Sequence, residues 1–348
     1  MIIMKKRITS FVLALLLLFA FTGCAQTPPS EPSNTPSEEV TTPVIETEPA
    51  STPETGINLT ILYEQDDSMI NTYSLLAVDE AAPFTDADGN AVSDVSINTV
   101  GAKALIDWML SEEGTALIRD YGYADYGEYL FYLKDDRPVS SAEIPHAEDA
   151  TRTIRLSTTT SVNDSGLLGY LLPKFEEKYG YAVEVASAGT GKAIAAAQYG
   201  NADLILVHSK SQEEAFVEAG FAKVLDGYDA ARLSFMYNYF VLVGPSADPA
   251  GCGKAATVKD AFRLIADGKY TFVSRGDKSG THTKELSLWP EELGITDEAD
   301  SAADYTDWYV YSNAGMGVCL TMAEEMDGYI LSDKATFLTF RANNGQMD

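Results

Sequence analysis

The chain has 348 residues, a formal charge of −28 and 10% aromatic residues. A charge this negative repels nucleic acid and anionic lipid, and makes any anionic ligand depend on a strong local site. The three cysteines, Cys24, Cys252 and Cys319, fit no metal-ligand spacing, and spacing alone leaves open whether the last two pair.

Lys5, Lys6 and Arg7 precede an apolar run from Phe11 to Phe21, and Thr22-Gly23 leads into Cys24. This reads as a secretory signal over residues 1–23, shorter than the ~20 apolar residues of a membrane span, with Cys24 placed for lipidation. An ordinary signal peptide or an uncleaved anchor is the alternative. Residues 24–56 are rich in Thr, Ser, Pro and Glu, with no Lys, Arg or aromatic residue, and are expected to form a disordered tether. The body beyond is therefore expected outside the cytoplasm, lipid-anchored to the outer face of the cytoplasmic membrane. It is long enough for two cores.

Leu59 to Tyr63 and Tyr73 to Val78 predict strands. Ala102, Leu105, Ile106, Met109 and Leu110 then predict a helix capped by Asn98. Residues 135–152, with Pro138 and Pro145, read as a linker. A strand from Thr153 to Leu156 enters TTTSVNDSG, and Leu167, Leu168, Leu171, Leu172 and Phe175 follow at helical spacing. A strand from Val183 to Ala186 enters SAGTGK, which opens another helix. Leu204 to Val207 predicts a buried strand ending at His208, and Glu213 to Glu218 a helix. Tyr239 to Val243 predicts a strand stopped by the turn signal Gly244-Pro245, before a helix from Val258 to Asp267. The strand Tyr270 to Val273 enters SRGDKSGTH and a helix. Tyr309 to Tyr311, the turn Gly315-Met316-Gly317, a helix from Val318 to Met326 and a strand from Tyr329 to Leu331 complete the series. Alternating strands and helices are α/β grammar.

Four times a strand feeds a Gly/Ser/Thr turn that opens a helix: Thr160-Ser161, Gly189-Thr190-Gly191, Ser279-Gly280-Thr281 and Gly315-Met316-Gly317. Each helix start offers unpaired N–H groups and about half a positive charge. Convergent starts would build an anion pocket beyond the carboxyl ends of the strands. Any one such turn is equally well a helix cap. Arg275 is the one guanidinium in these turns and can donate in bidentate fashion; Asp277 would orient it, or pair with it as a surface salt bridge. SAGTGKA fails as a phosphate loop, because Ala193 follows Lys192 and Ala186 stands where the first glycine belongs. His208 and His282 lack metal spacing, and Ser279, His282 and Asp277 are too close on one turn for a hydrolytic triad. No cofactor, metal or catalytic activity is expected.

TTTSVNDSGLLGYLLPKFEEKYGYAVEV, SAGTGKA, ADLILVHS, MYNYFVLVGPSADPAG, FVSRGDKSGTH and GMGV, in this order, resemble the tungstate-specific binding lipoproteins of Tup-type ABC importers. The resemblance implies a two-lobed periplasmic-binding-protein fold of type II with the anion in the cleft. Carried over by motif, Thr159, Thr160, Ser161, Gly189, Thr190, Arg275, Ser279, Gly280 and Thr281 would line it. Segments 59–78, 101–114 and 126–132 resemble the family's carboxyl-terminal third but stand first here, which implies a circular permutation with residues 135–152 as the new linker. A fusion or misassembled fragment is the rival. Lobe one is then expected at 74–238, and lobe two at 57–73 and 239–348. The expected partners are tungstate or molybdate, an ABC permease and a lipid anchor, without nucleic acid, and the expected state is a monomer. Phosphate is the runner-up ligand, because S-R-G-D-x-S-G-T resembles the anion turn of phosphate-binding proteins and Asp277 offers an acceptor. A sensory oxyanion-binding subunit is the runner-up role.

Overall fold

The computed structural model describes residues 56–345, so the expected signal, Cys24 and all of the tether but Gly56 lie outside the described residues. β1 (Leu59–Tyr63) and β2 (Ile70–Val78) come first. α1 (Thr99–Leu110) starts at Asn98, whose Oδ1 accepts from the Gly101 N–H at 2.8 Å, the expected cap. α2 (Glu112–Asp120), α3 (Tyr123–Tyr126) and the short β3 (Tyr132–Leu133) follow. β4 (Thr153–Thr159) passes directly into a five-residue helix α4 (Thr160–Asp164), and then into α5 (Leu167–Tyr179). Next come β5 (Ala182–Ala188), α6 (Thr190–Gln198), β6 (Leu204–Val207), α7 (Lys210–Glu218) and β7 (Ala222–Lys223). The remainder is β8 (Leu233–Pro245), α8 (Val258–Gly268), β9 (Phe272–Ser274), α9 (Gly280–Leu286), β10 (Tyr309–Tyr311), α10 (Met316–Glu325), β11 (Ile330–Asp333) and α11 (Lys334–Ala342).

Nine strands share one sheet, with the path β1-β8-β2-β6-β4-β5; β3 and β11 also pair with β8, and β7 with β2. β4 runs parallel to β5 and β6, whereas β8 is antiparallel to its partners. β9 and β10 form a separate parallel pair. The strand expected at 239–243 is a 13-residue strand instead. Polar residues break its apolar run, but Ser234 pairs with Ser74, Tyr237 with Thr72 and Asn238 with Asn71, so the neighbouring strand supplies the ladder that local pattern does not announce. Gly244-Pro245 is likewise not a turn: it ends the ladder opposite Thr60 and Leu59, where proline needs no donor beyond the edge.

Adjacent strand residues bury into different cores. On β2, Leu75 and Ala77 join one cluster and Leu76 and Val78 another; on β6, Leu204 and Leu206 separate in the same way from Ile205 and Val207. A sheet covered on both faces accounts for the nearly unbroken apolar run at 204–207. These two clusters draw on residues between 73 and 236, with Ala335 and Leu338 added. The last part of β8 repeats the pattern: Phe240 and Leu242 enter a third cluster, Val241 and Val243 a fourth. This second pair of cores draws on residues 57–69 and 240–340. Cys252 lies in the third cluster and Cys319 in the fourth; both are fully buried and unpaired.

Candidate functional site

Three of the four anticipated turns meet where the two pairs of cores face each other. Thr159 ends β4 and Thr160 opens α4, Gly189 precedes α6, and Ser279 precedes α9. In each case an extended residue stands immediately before the helix, so the first N–H groups have no acceptor within it. A Cβ placed on Gly189 would lie 3.4 Å from the Ser279 Cβ and 3.8 Å from Asp277 Oδ2, so the α6 and α9 turns are in contact.

Arg275 follows β9 directly and is only 3% exposed. Its Nη1 donates to Thr160 Oγ1 at 3.3 Å, tying the α4 turn to the β9 turn, and its Nη2 donates to Asp277 Oδ2 at 2.5 Å. Asp277 Oδ1 also accepts from the Ser279 N–H at 3.1 Å. The Arg275–Asp277 pair therefore forms, but as a buried orienting contact rather than a surface bridge. Ser279 uses its hydroxyl as a cap, accepting from the His282 N–H at 3.2 Å.

Three groups among the expected residues are buried without a hydrogen-bond partner: Arg275 Nε, Thr190 Oγ1 and Thr281 Oγ1. An unmet buried donor costs about 1–3 kcal/mol, so these three groups are open to a ligand or to water. Thr159 Oγ1 and Ser161 Oγ, in contrast, face each other at 3.1 Å and leave only part of their capacity free. The fourth turn is different: its leading glycine, Gly315, is exposed and a Cβ there would meet nothing within 4 Å, although Ala314 N–H donates to the Arg275 carbonyl at 3.1 Å.

His208 is the functional candidate that sequence reading did not place in the site. Its Nε2 lies 3.0 Å from Ser161 Oγ, and a Cβ on Gly280 would come within 2.5 Å of its Cε1, so the imidazole is wedged between the α4 and α9 turns. Its position one residue past β6, at the carboxyl end of a strand like the other turns, was the available signal. Burial first, and the Arg275 charge second, lower its pKa to about 3, so it stays neutral. Behind it Tyr73 Oη donates to Ser161 Oγ at 3.3 Å, Asn71 Nδ2 donates to Tyr73 Oη and to Asn238 Oδ1, and Asn238 Nδ2 donates to Asp333 Oδ1. Burial raises Asp333 to about 6. On the other side, Glu285 of α9 accepts from Ser274 Oγ, Trp289 Nε1 and Tyr309 Oη at 2.7, 3.0 and 2.7 Å; burial lifts it to about 7. The site thus holds one cation, one carboxylate bound to it, a neutral imidazole and several directed donors.

The family described as "PBP superfamily domain" matches residues 145–347, more than half of the chain. The tungstate-binding protein TupA of Peptoclostridium acidaminophilum is 45% identical over 198 residues, which is 56% of this chain and 64% of that protein. A putative ABC transporter anion-binding protein of Haloferax volcanii is 43% identical over 196 residues, 56% of this chain and 53% of that one. The chain thus spans less than two thirds of the length of these curated relatives. Among solved structures, the tungstate ABC transporter from Geobacter sulfurreducens shares 42% identity, with a TM-score of 0.46, over 56% of this chain and 78% of its own.

Proposed function

The chain belongs to the PBP superfamily, and from that premise we propose that it is an extracytoplasmic substrate-binding protein that captures a small tetrahedral oxyanion, tungstate first, for an ABC importer. The observation that carries this reading is the convergence of Arg275, Thr190 and Thr281, each with an unmet buried donor, on turns that open helices from both pairs of cores. Each helix start adds about half a positive charge, which offsets a dianion without further lysines. Thr159, Thr160, Ser161, Gly189, Ser279 and Gly280 complete the proposed lining. The names of the Peptoclostridium and Haloferax relatives support the ligand class and the transporter role.

Tungstate, molybdate and sulfate are fully deprotonated and ask only for donors, whereas phosphate near neutrality also asks for an acceptor. The nearest carboxylate, Asp277, already accepts from Arg275 on one oxygen and from the Ser279 N–H on the other. Each oxygen keeps a second lone pair, so the titration below separates the donor-seeking ions from phosphate.

The proposed lobes are 74–238, and 57–73 with 239–348, exchanging chain at β2 and β8. The partition of the four cores on either side of residues 69–73 and 236–240 supports it. Circular permutation is part of the proposal: a Cβ on Gly345 would lie 3.6 Å from Ile57 Cδ1, so a short peptide could rejoin these two points. The family match at residues 145–347 leaves the front of the chain uncovered, as permutation and fusion would alike. Lipidation at Cys24 is proposed on the signal pattern alone.

Isothermal titration with tungstate, molybdate, sulfate and phosphate tests the function. Tight tungstate binding lost in Arg275→Ala is the expected result; heat from phosphate alone moves the assignment to the runner-up, and silence with every anion from folded protein overturns it.

A further inference from the structure

The buried side chains of α11 divide between the two pairs of cores. Phe337 and Phe340 enter the fourth cluster, whereas Ala335 enters the first and Leu338 packs against it. The helix is therefore seated on the second pair and leans on the first. Along most of its length the leaning contacts are slight. Thr336 Oγ1 donates to the Ser161 carbonyl of α4 at 3.4 Å, and Thr339 Oγ1 lies 3.3 Å from Tyr126 Oη, both long for hydroxyl bonds.

The amino end of α11 is held more firmly. Lys334, its first residue, has a side chain only 8% exposed, and its ammonium lies 2.5 Å from Glu128 and 2.8 Å from Glu64. Glu64 follows β1 and belongs, like Lys334, to the proposed lobe two; Glu128 stands between α3 and β3, in the proposed lobe one. Among the described residues, Lys334 and Glu128 make the only ion pair that joins these lobes. The residue before, Asp333, caps α11 and pairs with Phe240 in the ladder of β11 with β8. The ammonium thus sits beside the place where β8 passes from one pair of cores to the other. An ammonium this far out of water depends on its carboxylates, and losing one leaves its charge poorly compensated.

We propose that α11 is a strap between the lobes, fastened by the Lys334–Glu128 pair, that holds the cleft closed on a bound oxyanion. The pair keeps α11 against α4, and α4 presents the Thr160 hydroxyl that accepts from Arg275, so a strap that lifts is felt at the site. The ligand in this inference rests on the oxyanion reading above, and the strap on the lobes proposed there. A contact of this kind slows release only by what it adds to the closed arrangement, on the order of fivefold for a partly exposed pair.

Stopped-flow release of tungstate from the full chain, followed by tryptophan fluorescence, tests the strap by comparing Glu128→Gln with Glu64→Gln. Both changes take one carboxylate from the same ammonium, but only Glu128 reaches it from the other lobe. The expected result is a dissociation rate constant raised on the order of fivefold in Glu128→Gln and unchanged in Glu64→Gln. Hydrogen exchange without ligand reads the same device: amides of α11 and α4 should exchange faster in Glu128→Gln than in Glu64→Gln, and those of α8 alike in both. Equal effects of the two variants, or none from either, overturn the strap, as does faster release without faster exchange in α11. If Glu128→Gln does not fold, Glu128→Asp, which keeps the charge but shortens the reach to Lys334, is judged by the same comparison. Absence of tungstate binding by wild type removes the oxyanion reading, and the exchange comparison then decides the strap by itself.

Discussion

Arg275 is held from two sides, by Thr160 and by Asp277, which fixes the plane of its guanidinium before any ligand arrives. Arg275→Lys keeps the charge but loses the planar fork, and we expect tungstate affinity to drop by about 10- to 100-fold, roughly 1.4–3 kcal/mol, in titration calorimetry. Gly280 is needed for a different reason: any side chain there strikes the His208 ring. Gly280→Ala should weaken binding while leaving the helix formed, and His208→Ala in the same chain should partly restore it by making room. Glu285 and His208 pull the pH dependence of stability in opposite directions. Glu285 is raised to about 7, so the native state holds its proton and stability is lost as pH rises from about 4.5 to 7; His208 is lowered to about 3, so stability is lost as pH falls below 6.5. Glu285→Gln removes the first contribution alone. Its stability relative to wild type should therefore improve from pH 5 to pH 7.5, as read by urea midpoints; a constant difference would show that the carboxyl does not titrate in this window.

β8 is one strand with two sets of partners, β2 and β3 along its first part and β1 and β11 along its last. Where they meet, Asn238 donates to Asp333 and accepts from Asn71, so a side-chain bridge reinforces the backbone ladder at the crossover. Asn238→Ala leaves buried polar groups without this partner and should cost about 1–3 kcal/mol in chemical denaturation. Much at this level was readable in the sequence. The Asn98 cap, the helix of Leu168, Leu171, Leu172 and Phe175, and the buried run at 204–207 follow from spacing and propensity alone. What escaped reading is what only a neighbour supplies: the first residues of β8, whose polar side chains pair across to β2, and the five-residue α4, too short for any period to show. His208 escaped for the same reason, since the contact that singles it out comes from Ser161, 47 positions away.

For the whole molecule, the proposed exchange of chain order makes a strong demand on folding. A variant in which Gly345 is joined to Ile57 by a short Gly/Ser linker, and the chain is opened within residues 141–143, should fold to the same sheet and bind tungstate with the affinity of the parent. A soluble variant that lacks native circular dichroism would count against permutation and for the fusion alternative. Ser140 N–H donates to the Leu110 carbonyl, Ala147 N–H donates to the Tyr179 carbonyl, and Ile144 and Ala147 pack on the first cluster, so the cut belongs at the exposed residues 141–143 between these anchors. Sequence pattern could suggest the reordering because segments keep their identity when moved; it could not show that the two points of rejoining lie side by side, which depends on the packing of Ile57 and Phe340 around the fourth cluster.

Cys252 and Cys319 are sealed in separate cores of the second pair, without exposure and without a bond between them. Burial pushes the Cys252 thiol up to about 12 and raises that of Cys319, so neither is a thiolate at neutral pH. The two sulfurs are in effect a clock sealed inside the fold: a thiol reagent can read them only while those cores are open. The labelling rate with an excess of such a reagent then counts openings of the native protein, and bound oxyanion should slow the count in proportion to its occupancy.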